Sequence, residues 1–313
     1  MNNKTSPSNA SETQLGIILA LSCYIFWGIF PLYWSIIGSY GLGPEQVLAQ
    51  RIAWSSVFAL ILLFVFRQQK ALMAAIAQPK VMIVFFLSSL ILSFNWLTYI
   101  YGVSINRVLD TSLGYFISPL VSLFLARVFI GERINKSQLI AVILAGLGVL
   151  WLSVLSGDIP WIALILSSTW GIYSLFRKKT SLPVVPGFAL ETLLMVPFAL
   201  LYLFWLQGKG ELIFSGLSIW HMGVLMSTGV VTGLPLLLFA AAVKRISMST
   251  ISILQYISPT IQFLIGLFVM NEAFDLTRFF GYLFVWIGVF VFCISSLNQY
   301  KKSQQKSINK KLN

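Results

Sequence analysis

Charged side chains are scarce in this sequence: Asp, Glu, Lys and Arg make up 10% of its 313 residues, against about a quarter in an ordinary soluble domain. The hydrophobic residues AVILMFWYC account for 58%, and the mean hydropathy is +0.87. So few charges cannot cover the surface of a soluble protein of 35.0 kDa. The composition therefore excludes a soluble enzyme, a nucleic-acid-binding domain and a disordered chain, and it indicates a polytopic membrane protein.

Residues that build catalytic and metal centres are also scarce. The sequence has one histidine, His221, and its two cysteines, Cys23 and Cys293, lie in apolar runs near opposite ends. It contains no HExxH or CxxC pattern, and no GxxxxGK[ST] nucleotide-binding loop. We therefore predict no metal, no cofactor and no direct use of ATP. A membrane enzyme is a weak alternative, because it needs a convergent set of catalytic side chains.

Ten continuous apolar runs approach or exceed the roughly 20 helical residues that a hydrocarbon core of about 30 Å requires. Strands are excluded because these runs do not alternate, and because open sheets facing lipid leave backbone groups unsatisfied. We predict an all-α membrane protein with ten transmembrane helices. The predicted spans are 15–37, 47–66, 81–101, 109–130, 138–155, 159–176, 187–206, 220–241, 248–270 and 277–297.

The cations are unevenly distributed between the two predicted sides of the membrane. If both termini are cytoplasmic, seventeen Lys and Arg residues lie on the cytoplasmic side and three, Arg107, Lys209 and Arg278, lie outside. This is the positive-inside pattern. We therefore predict a multi-pass protein of the inner (cytoplasmic) membrane with both termini in the cytoplasm. The net charge of +12 then orients the chain and contacts anionic lipid headgroups, not nucleic acid.

The second half of the sequence repeats the first. A shift of 140 residues places Phe116-Ile117-Ser118-Pro119 over Tyr256-Ile257-Ser258-Pro259, and a shift of 143 places Trp27-Gly28 over Trp170-Gly171. Each copy holds five predicted spans, an odd number, so the copies cross the membrane in opposite senses. Inverted repeats are typical of secondary transporters. The predicted units are an N-terminal tail 1–14, a first repeat 15–155, a second repeat 156–297 and a basic C-terminal tail 298–313.

Three segments of the sequence resemble a known family. They are Asn95-Trp96-Leu97-Thr98-Tyr99-Ile100, Leu113-Gly114-Tyr115-Phe116-Ile117-Ser118-Pro119-Leu120 and Gln255-Tyr256-Ile257-Ser258-Pro259-Thr260-Ile261-Gln262-Phe263-Leu264. Through them the chain resembles the RarD-type subgroup of the EamA family, in the drug/metabolite transporter superfamily. The resemblance implies ten helices in two five-helix halves around a central substrate cavity. It implies no particular substrate, because members of the superfamily handle many small molecules.

Polar side chains recur along one face of the fourth and ninth spans. Thr111, Tyr115, Ser118 and Ser122 are spaced by four, three and four residues, which forms one stripe on a helix. Polar groups in lipid are costly unless they are paired or face a cavity, so we predict that the stripes line a substrate path. Hydrogen bonding between helices is the alternative. With residues from other spans, the candidate path residues are Trp27, Asn95, Tyr99, Tyr115, Ser118, Trp170, Gln255, Ser258 and Gln262.

Two prolines, Pro119 and Pro259, fall within these same two spans. Proline lacks an N–H and frees a carbonyl one turn earlier, and helices interrupted at matching positions point to transporter sites. We therefore predict a helix interruption at each proline, with a tolerated packing kink as the alternative. The repeat is not symmetric everywhere, because Pro31 lies opposite Ser174.

Three charged residues fall within or just inside predicted spans. Arg51 and Asp110 both lie near the outer starts of their spans, so Asp110 is the predicted partner of Arg51. Glu191 lies near the inner start of the seventh span, about 15 Å from Arg51 in depth. Because a carboxyl group takes up and releases protons, Glu191 is the first candidate for proton coupling and Asp110 the second. Pairing of Glu191 with Lys244 or Arg245 at the cytoplasmic interface is the alternative.

Two further patterns predict how helices end and pack. Glu132 and Glu272 each precede a hydroxyl residue, Ser137 or Thr277, by five positions, which predicts a tight turn with an N-cap on the next helix. The fifth and tenth spans are rich in Gly and Ala, which favours close helix packing within one chain or between two copies in a homodimer.

Together these observations predict a secondary transporter, an exporter, that moves a small organic solute by alternating access. A cavity with few charges and many aromatic residues suits a neutral, zwitterionic or amphipathic solute better than a phosphate ester, which requires clustered cations. A passive channel or a membrane-embedded sensor is the alternative class. The predicted partners are the substrate, the lipid bilayer and protons.

Overall fold

A computed structural model describes residues 7–131, 135–155, 159–178, 182–246 and 248–312, and within these ranges the chain is helical with no strand. The helices are α1 (Pro7–Gly28), α2 (Phe30–Gly38), α3 (Pro44–Val65), α4 (Gln69–Ile76), α5 (Pro79–Ser104), α6 (Val108–Ile130), α7 (Lys136–Leu155), α8 (Trp161–Lys178), α9 (Val184–Lys209), α10 (Ile219–Met226), α11 (Thr228–Val243), α12 (Met248–Leu254), α13 (Ile257–Phe268) and α14 (Leu276–Leu312), with a 3₁₀ turn at Ile213–Gly216.

Eight helical segments in the described part of the chain are long and apolar enough to cross a membrane. They lie at Glu12–Gly38, Pro44–Val65, Pro79–Ser104, Val108–Phe129, Lys136–Leu155, Val184–Lys209, Ile219–Ala242 and Leu276–Ser295. The other two predicted spans appear as shorter apolar helices, Trp161–Phe176 and Ile257–Phe268. The prediction of an all-α membrane protein is confirmed. The predicted spans 159–176 and 248–270 each contain less continuous apolar helix than a full crossing requires.

The predicted helix caps are displaced by two residues. Asn135 Oδ1 accepts from the Gln138 amide at 2.7 Å, and the Gln138 side chain accepts from the Asn135 amide at 2.9 Å, which forms a reciprocal capping box. In the second half, Asp275 Oδ1 accepts from the Arg278 amide at 2.8 Å. The prediction that Ser137 and Thr277 cap α7 and α14 is therefore wrong, because carboxylate and amide oxygens two positions earlier reach the free N–H groups first.

Glu272 caps a different helix from the one expected. Its carboxylate accepts hydrogen bonds from the amides of Val108 and Leu109, at the start of α6. Negative charge is stabilising there because the helix dipole leaves N–H groups unpaired at an N-terminus. The contact ties the α13–α14 loop to the first half of the chain. The predicted counterpart, Glu132, lies outside the described residues.

Pro119 does not interrupt its helix. α6 continues from Val108 to Ile130, and the Ser118 hydroxyl donates to the Gly114 carbonyl next to the turn that proline opens. The prediction of an interruption at Pro119 is therefore wrong. In the second half the chain leaves the helix at residues 255–256, and Pro259 lies in the first turn of α13. A proline fits the first turn of a helix because its missing N–H has no partner there.

Small residues bring the last helices of the two halves together. A Cβ atom on Gly148 of α7 would lie 2.6 Å from the Gly281 carbonyl oxygen of α14, and a Cβ on Gly288 would lie 2.9 Å from the Ala141 carbonyl. The predicted close packing thus occurs within one chain. Elsewhere α6 packs on α8, α3 on α9, and α1 on α11, which leaves a cavity among the central helices.

Candidate functional site

A cavity of about 140 Å³ lies where α1, α2, α3, α5, α6, α8, α9, α11 and α13 converge. A cavity of about 150 Å³ in another protein is large enough to bind benzene. Its wall is mostly aromatic and aliphatic, with a few hydroxyl, amide and charged groups. The lining residues are Tyr24, Trp27, Phe30, Arg51, Leu92, Trp96, Tyr99, Tyr115, Ser118, Pro119, Trp170, Tyr173, Phe188, Glu191, Thr232, Leu236, Gln255, Ser258, Pro259 and Gln262.

The structure brings most of the predicted path residues to this one cavity. Eight of the nine line it, together with both predicted prolines and two of the three predicted intramembrane charges. The exception is Asn95, which is buried away from the lining. Its side-chain nitrogen donates to the Leu166 carbonyl at 3.0 Å and to Thr169 Oγ1 at 2.8 Å. Asn95 therefore joins α5 to α8, which is the role that hydrogen bonding between helices gives polar residues in membranes.

Several lining residues were not among the candidate path residues, although the sequence carried a signal for four of them. Thr232 is one, since it forms a polar face with Thr228 on the eighth predicted span. Tyr173 falls opposite Phe30 in the same 143-residue register that relates the two tryptophans, and both line the cavity. Trp96 belongs to the segment that resembles the family. The remaining aliphatic and aromatic lining residues carry no such signal, because an apolar side chain on a membrane helix faces lipid, core or cavity with the same composition.

Arg51 lies at one end of the cavity within an aromatic clamp. Its guanidinium carbon is 3.9 Å from the centre of the Trp96 ring and 4.9 Å from that of Trp34, and its Nε donates to Thr232 Oγ1 at 3.0 Å. The residue is only 4% exposed. Cation–π contacts of this kind stabilise a positive charge inside an apolar environment.

The predicted pairing of Arg51 with Asp110 is wrong. Asp110 Oδ2 lies 2.5 Å from Nε of Arg107, three residues earlier at the start of α6. The neighbouring cation reaches the carboxylate through one helical turn, whereas Arg51 points into the aromatic clamp. Asp110 is also absent from the cavity lining.

Glu191 is the acidic residue of the cavity lining. The Tyr173 hydroxyl donates to Glu191 Oε2 at 3.4 Å, and the residue is 6% exposed. Ala59 of α3 packs in one hydrophobic cluster with Leu190 of α9. Arg51 and Glu191 thus lie on two helices, α3 and α9, that pack against each other. The cavity lining contains one basic and one acidic side chain.

A break between α1 and α2 forms part of the cavity wall. Pro31 has no N–H, so it cannot donate to the Trp27 carbonyl one turn earlier. Gln262 of α13 supplies the missing donor, with its side-chain nitrogen 3.0 Å from that carbonyl oxygen. Gln262 Oε1 is buried without a partner among the described residues. The cavity wall is thus held by a contact between the first and last quarters of the chain.

The site has the chemistry of a binding pocket. In the described part of the chain, no group of three or more His, Cys, Asp or Glu side chains is placed to hold a metal ion. Aromatic walls with a few convergent polar groups are typical of pockets that bind small organic molecules. Their position in the middle of membrane-crossing helices is that of a transporter site.

Comparison with known proteins establishes the family. The model of the EamA-like transporter family matches the chain twice, at residues 14–154 and 159–294. The chain belongs to this family. It is accordingly a membrane transporter of the drug/metabolite superfamily, with several membrane-crossing helices.

The relatives of this EamA protein place it in the RarD-type subgroup. It is 40% identical to the uncharacterized transporter YojE of Bacillus subtilis, over 94% of this chain and 98% of that protein. It is 33% identical to Protein RarD of Escherichia coli, over 95% of this chain and 100% of that protein. A solved crystal structure covers 93% of this chain and 99% of its own, with a TM-score of 0.56 and 17% identity; this likeness concerns the fold alone.

Proposed function

We propose that this EamA protein is a secondary transporter that exports a small organic solute across the inner membrane by alternating access. The observation that carries the proposal is the cavity itself, a mostly apolar chamber with a few polar groups that is lined by residues from both halves of the chain. A solute bound there is placed for release to either side when the halves rearrange.

We propose further that the ten apolar helices form two inverted five-helix repeats, 15–155 and 156–297. The family model matches once in each half. The helix contacts support the same view, because contacts made by one half have counterparts in the other. The contact of α6 with α8 corresponds to that of α13 with α1, and the contact of α5 with α8 corresponds to that of α11 with α1. The two shorter apolar helices, Trp161–Phe176 and Ile257–Phe268, then complete the count of ten.

The proposed orientation places both termini in the cytoplasm, on the basis of seventeen cations against three. It is tested by fusing reporters, each active on only one side of the membrane, after Lys302. We expect activity from the cytoplasmic reporter. Activity from a periplasmic reporter would overturn either the orientation or the count of ten spans.

The transport proposal is tested with purified protein in two stages. A thermal-shift screen of small organic solutes identifies ligands, and each ligand is then assayed for uptake into liposomes. We expect accumulation against a gradient, and faster uptake when unlabelled solute is preloaded on the other side, because a carrier returns faster when loaded. Uptake that stops at equal concentrations without this exchange effect would favour a channel.

A further inference from the structure

The charge of Arg51 has no carboxylate partner in the described part of the chain. Its Nε donates to Thr232, and its planar face lies against Trp34 and Trp96. These contacts use one of the five N–H donors of the guanidinium group. An arginine that is 4% exposed is costly to bury unless an anion compensates it and accepts its hydrogen bonds.

A second unsatisfied donor faces the same cavity. Tyr99 of α5 lines it and is 3% exposed, and its hydroxyl has no hydrogen-bond partner among the described residues. The indole N–H of Trp34, whose ring contacts Arg51, is likewise buried without a partner in the described ranges. Leaving a buried donor unpaired is destabilising. Two residues of the cavity lining, Arg51 of α3 and Tyr99 of α5, therefore have donors without an acceptor.

We propose that Arg51 and Tyr99 bind the carboxylate of a monoanionic substrate whose aromatic or apolar body fills the rest of the cavity. This inference rests on the proposed transport function and names its substrate class. A planar guanidinium fork matches a carboxylate in shape. One cation in the lining suits a single negative charge. The substrate therefore lies with its carboxylate at Arg51.

The charge of the ligand is tested with three probes of matched shape: phenylacetate, phenylacetamide and 2-phenylethylamine. Each is titrated against the full-length protein in detergent, and binding is followed by thermal shift and calorimetry. We expect saturable binding of phenylacetate at least tenfold tighter than that of phenylacetamide. Absence of phenylacetate binding, equal binding of the amide, or preference for the amine would overturn the proposal.

The donor at Tyr99 is tested by Tyr99→Phe, with Tyr101→Phe as the matched control. Tyr101 lies on the same helix, is 39% exposed and does not line the cavity. Because hydrogen bonds to charged groups are the strong ones, we expect Tyr99→Phe to weaken phenylacetate binding about tenfold and to leave the unliganded melting temperature unchanged or higher. A purely structural Tyr99 predicts a lower melting temperature and unchanged affinity.

Arg51→Lys and Arg51→Gln complete the test. The lysine variant keeps the charge without the planar fork, so we expect partial loss of phenylacetate binding, whereas glutamine abolishes the preference for the anion over the amide. Preserved preference in a folded Arg51→Gln protein would overturn the proposal. Because binding is measured without membranes, the two proposals can fail separately. Anion binding without transport would disprove only the proposed transport function. Transport of neutral solutes alone would disprove only the proposed binding of a carboxylate at Arg51 and Tyr99.

Discussion

The first helix of the first half has a proline where the first helix of the second half has a serine, and the two helices differ in their continuity. In the 143-residue register, Pro31 lies opposite Ser174. The chain of the first half breaks at Ile29, between α1 and α2, whereas α8 continues unbroken from Trp161 to Lys178. The helix with proline at this position is broken, and the helix with serine there is continuous.

The surroundings of the two positions differ in the corresponding way. In the first half, the Trp27 carbonyl that Pro31 leaves free is satisfied by the Gln262 side chain. In the second half, Ser174 keeps its N–H, and its hydroxyl also donates to the Trp170 carbonyl at 2.7 Å. Ser122, the counterpart of Gln262, donates within its own helix instead. A proline and a distant amide thus form one structural unit in the first half only.

From this difference we infer that the two halves have different mechanical roles in transport. The break at Ile29 lies between two cavity-lining residues, Trp27 and Phe30. Discontinuous helices beside a cavity are typical of the moving parts of transporters. We expect the first-half helix to bend at this point during transport and α8 to move as a rigid rod.

The largest effect is expected from giving α8 the proline of the first half. Ser174→Pro removes an N–H and frees the Trp170 carbonyl in a helix interior, which costs about 3 kcal/mol or more. We expect a marked fall in the midpoint of thermal unfolding in detergent. Ser174→Ala, which keeps the N–H, is the matched control and should change little. An equal loss in both variants would show that the Ser174 hydroxyl, not the backbone donor, matters.

A smaller effect is expected from removing the compensating amide of the first half. Gln262→Leu leaves the Trp27 carbonyl buried without its donor, at a cost of about 1–3 kcal/mol. Adding Pro31→Ala restores a backbone N–H and should recover most of that stability. Chemical denaturation of the single and double variants gives the coupling between the two sites. Simple additivity of the two changes would refute the proposed unit.

Substitutions in the polar stripes that line the cavity should affect transport more than stability. Ser118→Leu and Gln255→Leu fill the cavity with apolar volume, so we expect both to abolish uptake into liposomes while the unfolding midpoint falls by only a few degrees. Ser153→Leu on α7, outside the cavity lining, is the control and should transport normally. Lost stability with normal transport by the remaining folded protein would mean that these side chains only join helices.

The sequence predicted the parts of this fold that depend on composition, on the length of apolar runs and on the spacing of the internal repeat. Continuous apolar runs require helices in lipid, and each predicted span from 15–37 to 277–297 contains a helix of the structure. The 140-residue register was informative about the cavity for a related reason. Ser118 and Ser258, which this register aligns, both line the cavity, as the proposed repeat predicts.

The sequence did not predict the contacts that depend on tertiary geometry. Arg51 and Asp110 have similar predicted depths, but depth does not specify which way a side chain turns around its helix, and the aromatic clamp takes Arg51 elsewhere. Pro119 and Pro259 look alike in sequence, yet only the second half breaks nearby. The outcome at a proline depends on its place in the helix: Pro119 lies inside α6, whereas Pro259 lies in the first turn of α13.

The smallest change in stability is expected at Glu191, which the 140-residue register places opposite Arg51. The same position thus carries a basic residue in one half and an acidic residue in the other, and both line the cavity.

We propose that Glu191 couples transport to protons, because protonation and substrate binding at one cavity bias the same equilibrium between inward-open and outward-open states. Glu191→Gln keeps the shape of the protonated carboxyl group and the contact with Tyr173, so the unfolding midpoint should hardly move. We expect the variant to exchange substrate down its gradient but to lose accumulation and its dependence on pH, both measured in liposomes with an imposed proton gradient. Transport with unchanged pH dependence would assign Glu191 a purely structural role.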